Sequence, residues 1–300
     1  MKKTKMFGRI GMTLVFAIIT FICLFPFYVL PVMGSYTTEE LMKTLPFWFG
    51  SSFFKNTQTL LQSNFLRTYA NSAFVTIFSI VGSVFNSVLI SYAITKYRFK
   101  ARKWLEGLIV VTMMLPGQIS TIGYIVEMRA LHLTNTLWPL VFTWLAHPFT
   151  AFFMVQFMRD SVPMEIIESG RIDGASEPRI LLSLVCPFIA PAVSTIAILL
   201  FMWSWNNYTL PMLIINSNDM FTIPLFVSNL ISEFRFDIGG RMAALTWAVL
   251  PLLVIFIIFS KSFIKGFIPD RGGWLELNAA RDAMTLQPIP NGQEVLIVIG

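Results

Sequence analysis

Along this chain, long runs free of Asp, Glu, Lys and Arg alternate with short charged stretches. Residues 10–38, 68–95, 107–126, 130–158, 180–218 and 242–260 carry no charged side chain. A helix needs about 20 apolar residues to cross the hydrocarbon core of a bilayer. Each run is therefore long enough for one span, and 180–218 is long enough for a span followed by an apolar loop. A seventh run, 220–232, has 13 residues and contains Pro224. It is too short to cross and reads as part of a loop or a re-entrant segment. The pattern predicts an all-α, polytopic membrane protein with six transmembrane helices. Lys2, Lys3 and Lys5 precede the first run as they would a signal peptide. The run is too long for a signal h-region, and Pro26 and Pro31 follow without a small-residue cleavage site, so it is expected to be retained.

Composition agrees with this pattern. Hydrophobic residues make up 55% of the 300 positions, charged residues 13%, and the mean hydropathy is +0.69. Soluble domains carry about 25% charged residues. Taken alone, the net charge of +6 would suggest nucleic acid as a partner. Its distribution is topological instead. With the N-terminus in the cytoplasm, 16 of the 22 Lys and Arg fall on cytoplasmic segments, around 2–9, 96–103, 159–179 and 261–281. The other six, Lys43, Lys55, Arg67, Arg129, Arg235 and Arg241, fall outside. This is the positive-inside bias of a multi-pass protein of a bacterial-type inner membrane with both termini cytoplasmic, and it calls for no nucleic acid.

The chemistry missing from the runs narrows the class. None has a charge near its middle, where ion- and proton-coupled transporters keep one. His132 is placed in the outer connection between the third and fourth spans. His147, beside Pro148, reads as a hydrogen-bond partner for a neighbouring helix rather than a proton carrier. Cys23 and Cys186 show neither metal-ligand spacing nor a disulfide framework. No G-x-x-x-x-G-K-[ST] phosphate loop, Ser-His-Asp set or metal-ligand cluster occurs in the sequence, so neither an enzyme nor a metal site is expected. If the protein pumps, its energy must come from another chain.

The most informative segment follows the fourth run. Residues 159–179 read as helix, break, helix. Pro163 suits a first helical turn, and Glu165 places a negative charge near that N-terminus. Gly174 suits the position just past the helix end, and Ser176 can cap the next helix. A short amphipathic helix with a glycine stop fits a docking element better than a solvated loop. Glu168-Ser169-Gly170, then Gly174, then Leu184-Val185-Cys186-Pro187 resemble the EAA loop of ABC importer permeases: E-A-A, three residues, G, nine residues, I-x-L-P. The spacing agrees at every step. Ser169, Gly170, Leu184 and Cys186 depart from the pattern in identity, each as a small or apolar substitute. Arg171–Ser176 resembles the carbohydrate-uptake, maltose-type branch of the binding-protein-dependent transport inner membrane component family. Trp203-Ser204-Trp205-Asn206-Asn207 also resembles that branch, and Phe65–Ser72, Ser91-Tyr92-Ala93 with Tyr97-Arg98-Phe99, and Met113–Gln118 resemble the family more widely.

The resemblance implies a type I ABC importer transmembrane domain over residues 10–268. A cytoplasmic N-terminus (1–9) would precede it and a cytoplasmic tail (269–300) would follow. The coupling loop would occupy 159–187. It implies a sugar or oligosaccharide importer, driven by ATP that a partner ABC ATPase dimer consumes, with no cofactor bound by this chain. A second, homologous permease would complete the path, and an extracytoplasmic solute-binding protein would deliver the carbohydrate. By position, coupling to the ATPase falls to Glu168, Ser169, Gly170, Arg171, Asp173, Gly174 and Ala175. Asn216, Asn218 and Asp219 are candidates for contact with the binding protein, or simply for a solvated loop. Asn86, Gln118, Asn135, Gln156 and Asn206 are polar groups in or near the runs. They could line the path or hydrogen-bond between helices. The tail ends in Val295–Ile299, a run too short to span, readable as a strand added to the ATPase or as disorder. The alternative to the importer is a self-sufficient secondary transporter or channel.

Overall fold

The computed structural model describes residues 2–233 and 237–267, with side chains from residue 11 onward except 118, 231–233 and 259–267. The 269–300 tail, including its Val295–Ile299 run, lies outside the described residues. Among the described residues every regular element is helical. The first long helix, α1 (Lys2–Gly34), is followed by the short α2 (Thr38–Lys43) and α3 (Phe53–Leu61). The second span is α4 (Phe65–Lys96). Then come α5 (Arg102–Met114), α6 (Gly117–Ala130), α7 (Trp138–Leu145), α8 (Pro148–Ser161) and α9 (Met164–Ile172). The fifth long helix is α10 (Glu177–Trp205), with a π-helical stretch at Ile180–Val185. It leads through α11 (Thr209–Ile214) and α12 (Ile223–Glu233) to α13 (Ile238–Phe267).

Five helices are long and apolar enough to span, and six if the bent α5–α6 pair is counted as one. The third predicted span, 107–126, is not a continuous helix, because α5 and α6 meet at 104°. Pro116 has no N–H to donate and biases the residue before it away from helical backbone. Leu115 (ψ 131°) and Pro116 (ψ 123°) are both extended. The fourth span begins at Trp138, inside the 130–158 run, and leaves His132 in the connection before it, as expected. His132 and Asn135, with φ of 55° and 59°, turn the chain before it. The same pre-proline effect breaks this span at His147 (ψ 118°) ahead of Pro148. The first span ends at Gly34, short of the expected 38. The 220–232 segment, expected as a loop or re-entrant piece, is mostly the helix α12.

The core forms around α4. Its inward face carries Ser72, Thr76, Ser79, Ser83, Ser87 and Ser91, all buried. In lipid, helices have little to gain from hydrophobic contact with one another, so small residues that allow close approach favour association. Two of these serines meet α8 through Thr150, at 3.1 Å from Ser83 and 3.0 Å from Ser87. Met154, Met158, Ile180, Val185, Ile189 and Ile196 fill the space between α8, α10 and α4. At its C-terminal end α1 packs so closely on α13 that a Cβ at Gly34 would stand 2.9 Å from the Ala243 amide nitrogen.

Candidate functional site

The loop between the fourth and fifth spans folds as the sequence pattern requires, with two differences. Pro163 stands one position earlier than expected, as the N-cap residue of α9. Ser176 stands at the N-cap of α10, but its side chain makes no capping bond. At the other end of α9, Gly174 has φ 74°, a conformation only glycine adopts at no steric cost. Its N–H donates to the Arg171 carbonyl at 3.1 Å, and the Ala175 N–H reaches back to the Gly170 carbonyl at 3.0 Å. This pair of bonds is a Schellman cap, which satisfies carbonyls the helix end would otherwise leave bare.

A nine-residue helix is marginal in water by itself, so tertiary contacts must hold α9. Ile167 is fully buried and Gly170 is buried beside it. A Cβ at Gly170 would come within 2.8 Å of Leu184 Cδ1 and 3.2 Å of Ile180 Cγ1. Glycine in place of the pattern's alanine therefore lets α9 lie directly on the start of α10. Arg171 folds back rather than outward. Its Nε donates to Glu177 Oε1 at 2.7 Å, and its guanidinium lies 5.3 Å from the Tyr97 ring centre. Tyr92 Oη donates to the other Glu177 oxygen at 2.7 Å. Burial pushes the Tyr97 phenol above its ordinary pKa, with a hydrogen bond to Glu177 adding to the effect, so it stays protonated. Lys96, 8% exposed, donates from Nζ to the Val162 carbonyl at 2.5 Å and closes the end of α8. The loop is thus latched to the C-terminal end of α4 at Tyr92, Lys96 and Tyr97.

With Ile167 and Gly170 turned inward, α9 presents Glu165, Glu168, Ser169 and Ile172 on one exposed face, with Asp173 and Gly174 at its tip. Ile172 is 86% exposed, an apolar side chain surrounded by polar ones. Of the seven expected coupling residues, Glu168, Ser169, Asp173 and Gly174 are thus exposed. Gly170, Arg171 and the half-buried Ala175 hold the helix in place. In the sequence, Tyr92 and Tyr97 entered only as part of the family resemblance and Glu177 only as a first-turn residue, and Lys96 was assigned no role. Ile172 was expected on the apolar face with Ile166, Ile167 and Gly170; it turns outward instead, because Ile167 and Gly170 take the contact with α10.

The five expected path residues do not converge. Asn86 Nδ2 donates to the Leu145 carbonyl at 2.9 Å, bracing the break between α7 and α8. Asn135 Oδ1 accepts from the Asn216 and Ser217 amides at 3.0 and 2.9 Å, tying the 131–137 turn to the chain after α11. Gln156 faces a separate groove beside α5. Gln118 stands at the start of α6, and its side chain lies outside the described residues. Of the four with described side chains, Asn206 alone borders a cleft at the helix breaks. His147 does not hydrogen-bond a neighbouring helix: its Nδ1 has no partner among the described residues. At the end of the bundle opposite α9, Asp219 is held by Arg67 at 3.4 Å and by Asn64 at 3.2 Å.

The profile of one protein family, the binding-protein-dependent transport system inner membrane component, matches residues 86–268. An arabinooligosaccharides transport system permease protein of Halalkalibacterium halodurans is 29% identical over 85% of this chain and 93% of its own length. A diacetylchitobiose uptake system permease protein of Streptomyces coelicolor is 26% identical over 88% and 97%. A lactose transport system permease protein of Rhizobium radiobacter is 26% identical over 85% and 93%. Among solved structures, a chain of a bacterial ABC transporter involved in import of the acidic polysaccharide alginate superposes with a TM-score of 0.77. It is 22% identical, and the match covers 88% of this chain and 98% of that one. The likeness establishes the fold.

Proposed function

The chain belongs to the binding-protein-dependent transport system inner membrane component family, and from that premise we propose that it is one permease subunit of an ATP-driven importer of a sugar or oligosaccharide. The observation that carries the coupling role is α9: a capped helix between two spans, latched to α4 and presenting Glu165, Glu168, Ser169 and Ile172. This face takes the groove of a cytosolic ABC ATPase, one of a dimer that consumes the ATP. Closure of that dimer moves α9. Tyr92, Glu177 and Arg171 pass the movement to α4, and the contact of Gly170 with Ile180 and Leu184 passes it to α10.

The loop end of the bundle, and with it both termini, faces the cytoplasm. A second, homologous permease completes the path, and an extracytoplasmic binding protein delivers the sugar to the end where Asn216, Asn218 and Asp219 lie. The three sugar permeases it resembles support a carbohydrate substrate. The test is purification of the tagged chain in mild detergent, followed by reconstitution. An ATPase and a second permease should co-purify, and sugar uptake should depend on ATP and on the binding protein. Recovery of the chain alone, still moving solute without ATP, would make it a self-sufficient transporter or channel and overturn the reading.

A further inference from the structure

A groove of about 410 Å³ runs between α5 and α8, along the half of these helices nearer the α9 loop. On α5 its wall runs from Lys103, in the first turn, to Val111, eight residues further into the membrane. That is about 12 Å along a helix, most of the roughly 15 Å of hydrocarbon in one leaflet. The polar lining groups, Lys103, Glu106 and Gln156, stand toward the loop end, and Ile109, Val110, Val111 and Phe152 form the deeper wall. Gly107 opens the groove between them. No atom lies within 4 Å of where its Cβ would stand, so packing within the chain does not require glycine there. Glycine inside a helix destabilises it relative to alanine, and here that cost leaves the groove deeper.

The mouth of the groove carries more positive charge than it neutralises. Glu106 Oε1 accepts from Arg159 Nη2 at 2.9 Å and from Arg102 Nε at 3.4 Å. Arg159 Nη1 also reaches Gln156 Oε1 at 3.5 Å. These bonds tie α5 to α8 at the mouth and use up its one lining carboxylate. Lys103 is exposed and has no ion-pair partner among the described residues. Arg98 and Lys100, exposed in the preceding turn, have none either. Cations in the first turn of a helix oppose its dipole, so Arg102 and Lys103 do not serve the stability of α5 itself. Trp104 beside them is 66% exposed, and tryptophan at a span end sits at the headgroup level of a bilayer. An apolar groove thus opens at headgroup level under a cation without a counter-charge.

We propose that this groove holds one acyl chain of an anionic phospholipid from the leaflet at the loop end, with the headgroup phosphate on Lys103. The acyl chain covers the apolar wall and fills the space over Gly107. The phosphate supplies the counter-charge that Lys103 lacks, and Arg98 and Lys100 add to the attraction. A zwitterionic lipid brings an ammonium group that the same cations repel, so an anionic headgroup such as that of phosphatidylglycerol is preferred. Anionic lipids charge the cytoplasmic leaflet, where the reading above places the loop end. The proposal takes only that orientation from the importer reading and holds whatever solute is carried.

The test uses the full chain, with whatever subunits purify with it, in nanodiscs. Cys23 and Cys186 are replaced by Ser, and Leu108→Cys, beside the groove but outside its lining, carries a bimane fluorophore. Phosphatidylglycerol or phosphatidylcholine with brominated chains is titrated into unbrominated phosphatidylcholine, and bromine quenches the fluorophore on contact. Phosphatidylglycerol should half-quench at about one-fifth of the mole fraction that phosphatidylcholine needs, the ratio expected for one cation near an anionic headgroup. Lys103→Gln should abolish this difference. Gly107→Leu, whose Cβ meets nothing and which changes no charge, should weaken quenching by both lipids. Equal quenching by the two lipids before these changes would show ordinary boundary lipid and overturn the proposal, and so would a preference that survives both substitutions. No quenching at Leu108→Cys, while the same label at Ile18→Cys on the exposed α1 is quenched, would show that another protein surface covers the groove and would overturn it too. Labelling of Lys100→Cys by an impermeant thiol reagent added to intact cells would instead overturn the orientation and leave the lipid site standing.

Discussion

Replacing Gly174 isolates the backbone cost of the cap, because nothing lies within 4 Å of where its Cβ would stand. The penalty then comes from φ 74° and not from a clash. Holding an L-residue in this conformation costs roughly 1–2 kcal/mol. Alanine also restricts the unfolded chain, which offsets roughly 0.4–1 kcal/mol of this. The net for Gly174→Ala is about 1 kcal/mol, or about fivefold in the population with the cap formed. Asparagine visits this region more readily, so Gly174→Asn should fall between glycine and alanine. Valine, branched at Cβ, should be worse than either. Hydrogen exchange on the assembled complex in nanodiscs reads the cap directly, because the Ala175 amide donates to Gly170 across it. Its protection should fall about fivefold in Gly174→Ala and less in Gly174→Asn. Sugar-stimulated ATP hydrolysis should fall in the same order. Unchanged Ala175 protection in Gly174→Ala, or an Asn variant damaged as much as the Val variant, would refute the argument that conformation alone makes this position glycine.

Further outcomes follow from the same region. Ile172→Asp should leave the thermal stability of the chain unchanged, since Ile172 is 86% exposed, while abolishing co-purification of the ATPase; retention of the ATPase would remove α9 from the interface. A double-mutant cycle of Tyr92→Phe with Glu177→Gln, read by thermal unfolding in detergent, should give a coupling of about 1 kcal/mol, a charge-assisted bond weakened by its partial exposure; a coupling near zero would dissolve the latch. Lys96→Met should cost about 1–3 kcal/mol, because it leaves the Val162 carbonyl buried without its donor; a loss below roughly 0.5 kcal/mol in the same measurement would show that water replaces the ammonium.

Much of the fold was legible because lipid imposes a simple rule on composition: a run of some 20 uncharged residues must be a helix. Four of the six runs became spans with ends near the expected ones. The two failures share a cause. The 107–126 run was read from the absence of charge, which is blind to backbone, so Pro116 was counted as one more uncharged residue. The 130–158 run was read from the absence of charge, and the turn at His132 and Asn135 carries none. The loop 159–187 was legible for a different reason: glycine at 174 and proline at 163 act on local backbone and so appear at fixed spacing. The candidate path residues were not legible, because an amide in a span can brace a helix or face a cleft. Asn86 and Asn135 proved to be braces.

The helical class, the membrane solvent, the position of the coupling helix and the glycine that ends it all follow from local composition and local backbone preference, and each can be read from the chain without knowing what it packs against. Pairings between distant residues are another matter. That Glu177 binds Tyr92 as well as Arg171, that Lys96 closes the end of α8, and that the breaks at 115 and 147 line one cleft depend on how the helices pack. The packing is selected by many small buried residues at once, Ser83, Ser87 and Thr150 among them. No one position in the sequence records it, because the free energy of close approach belongs to the pair of surfaces and not to either residue.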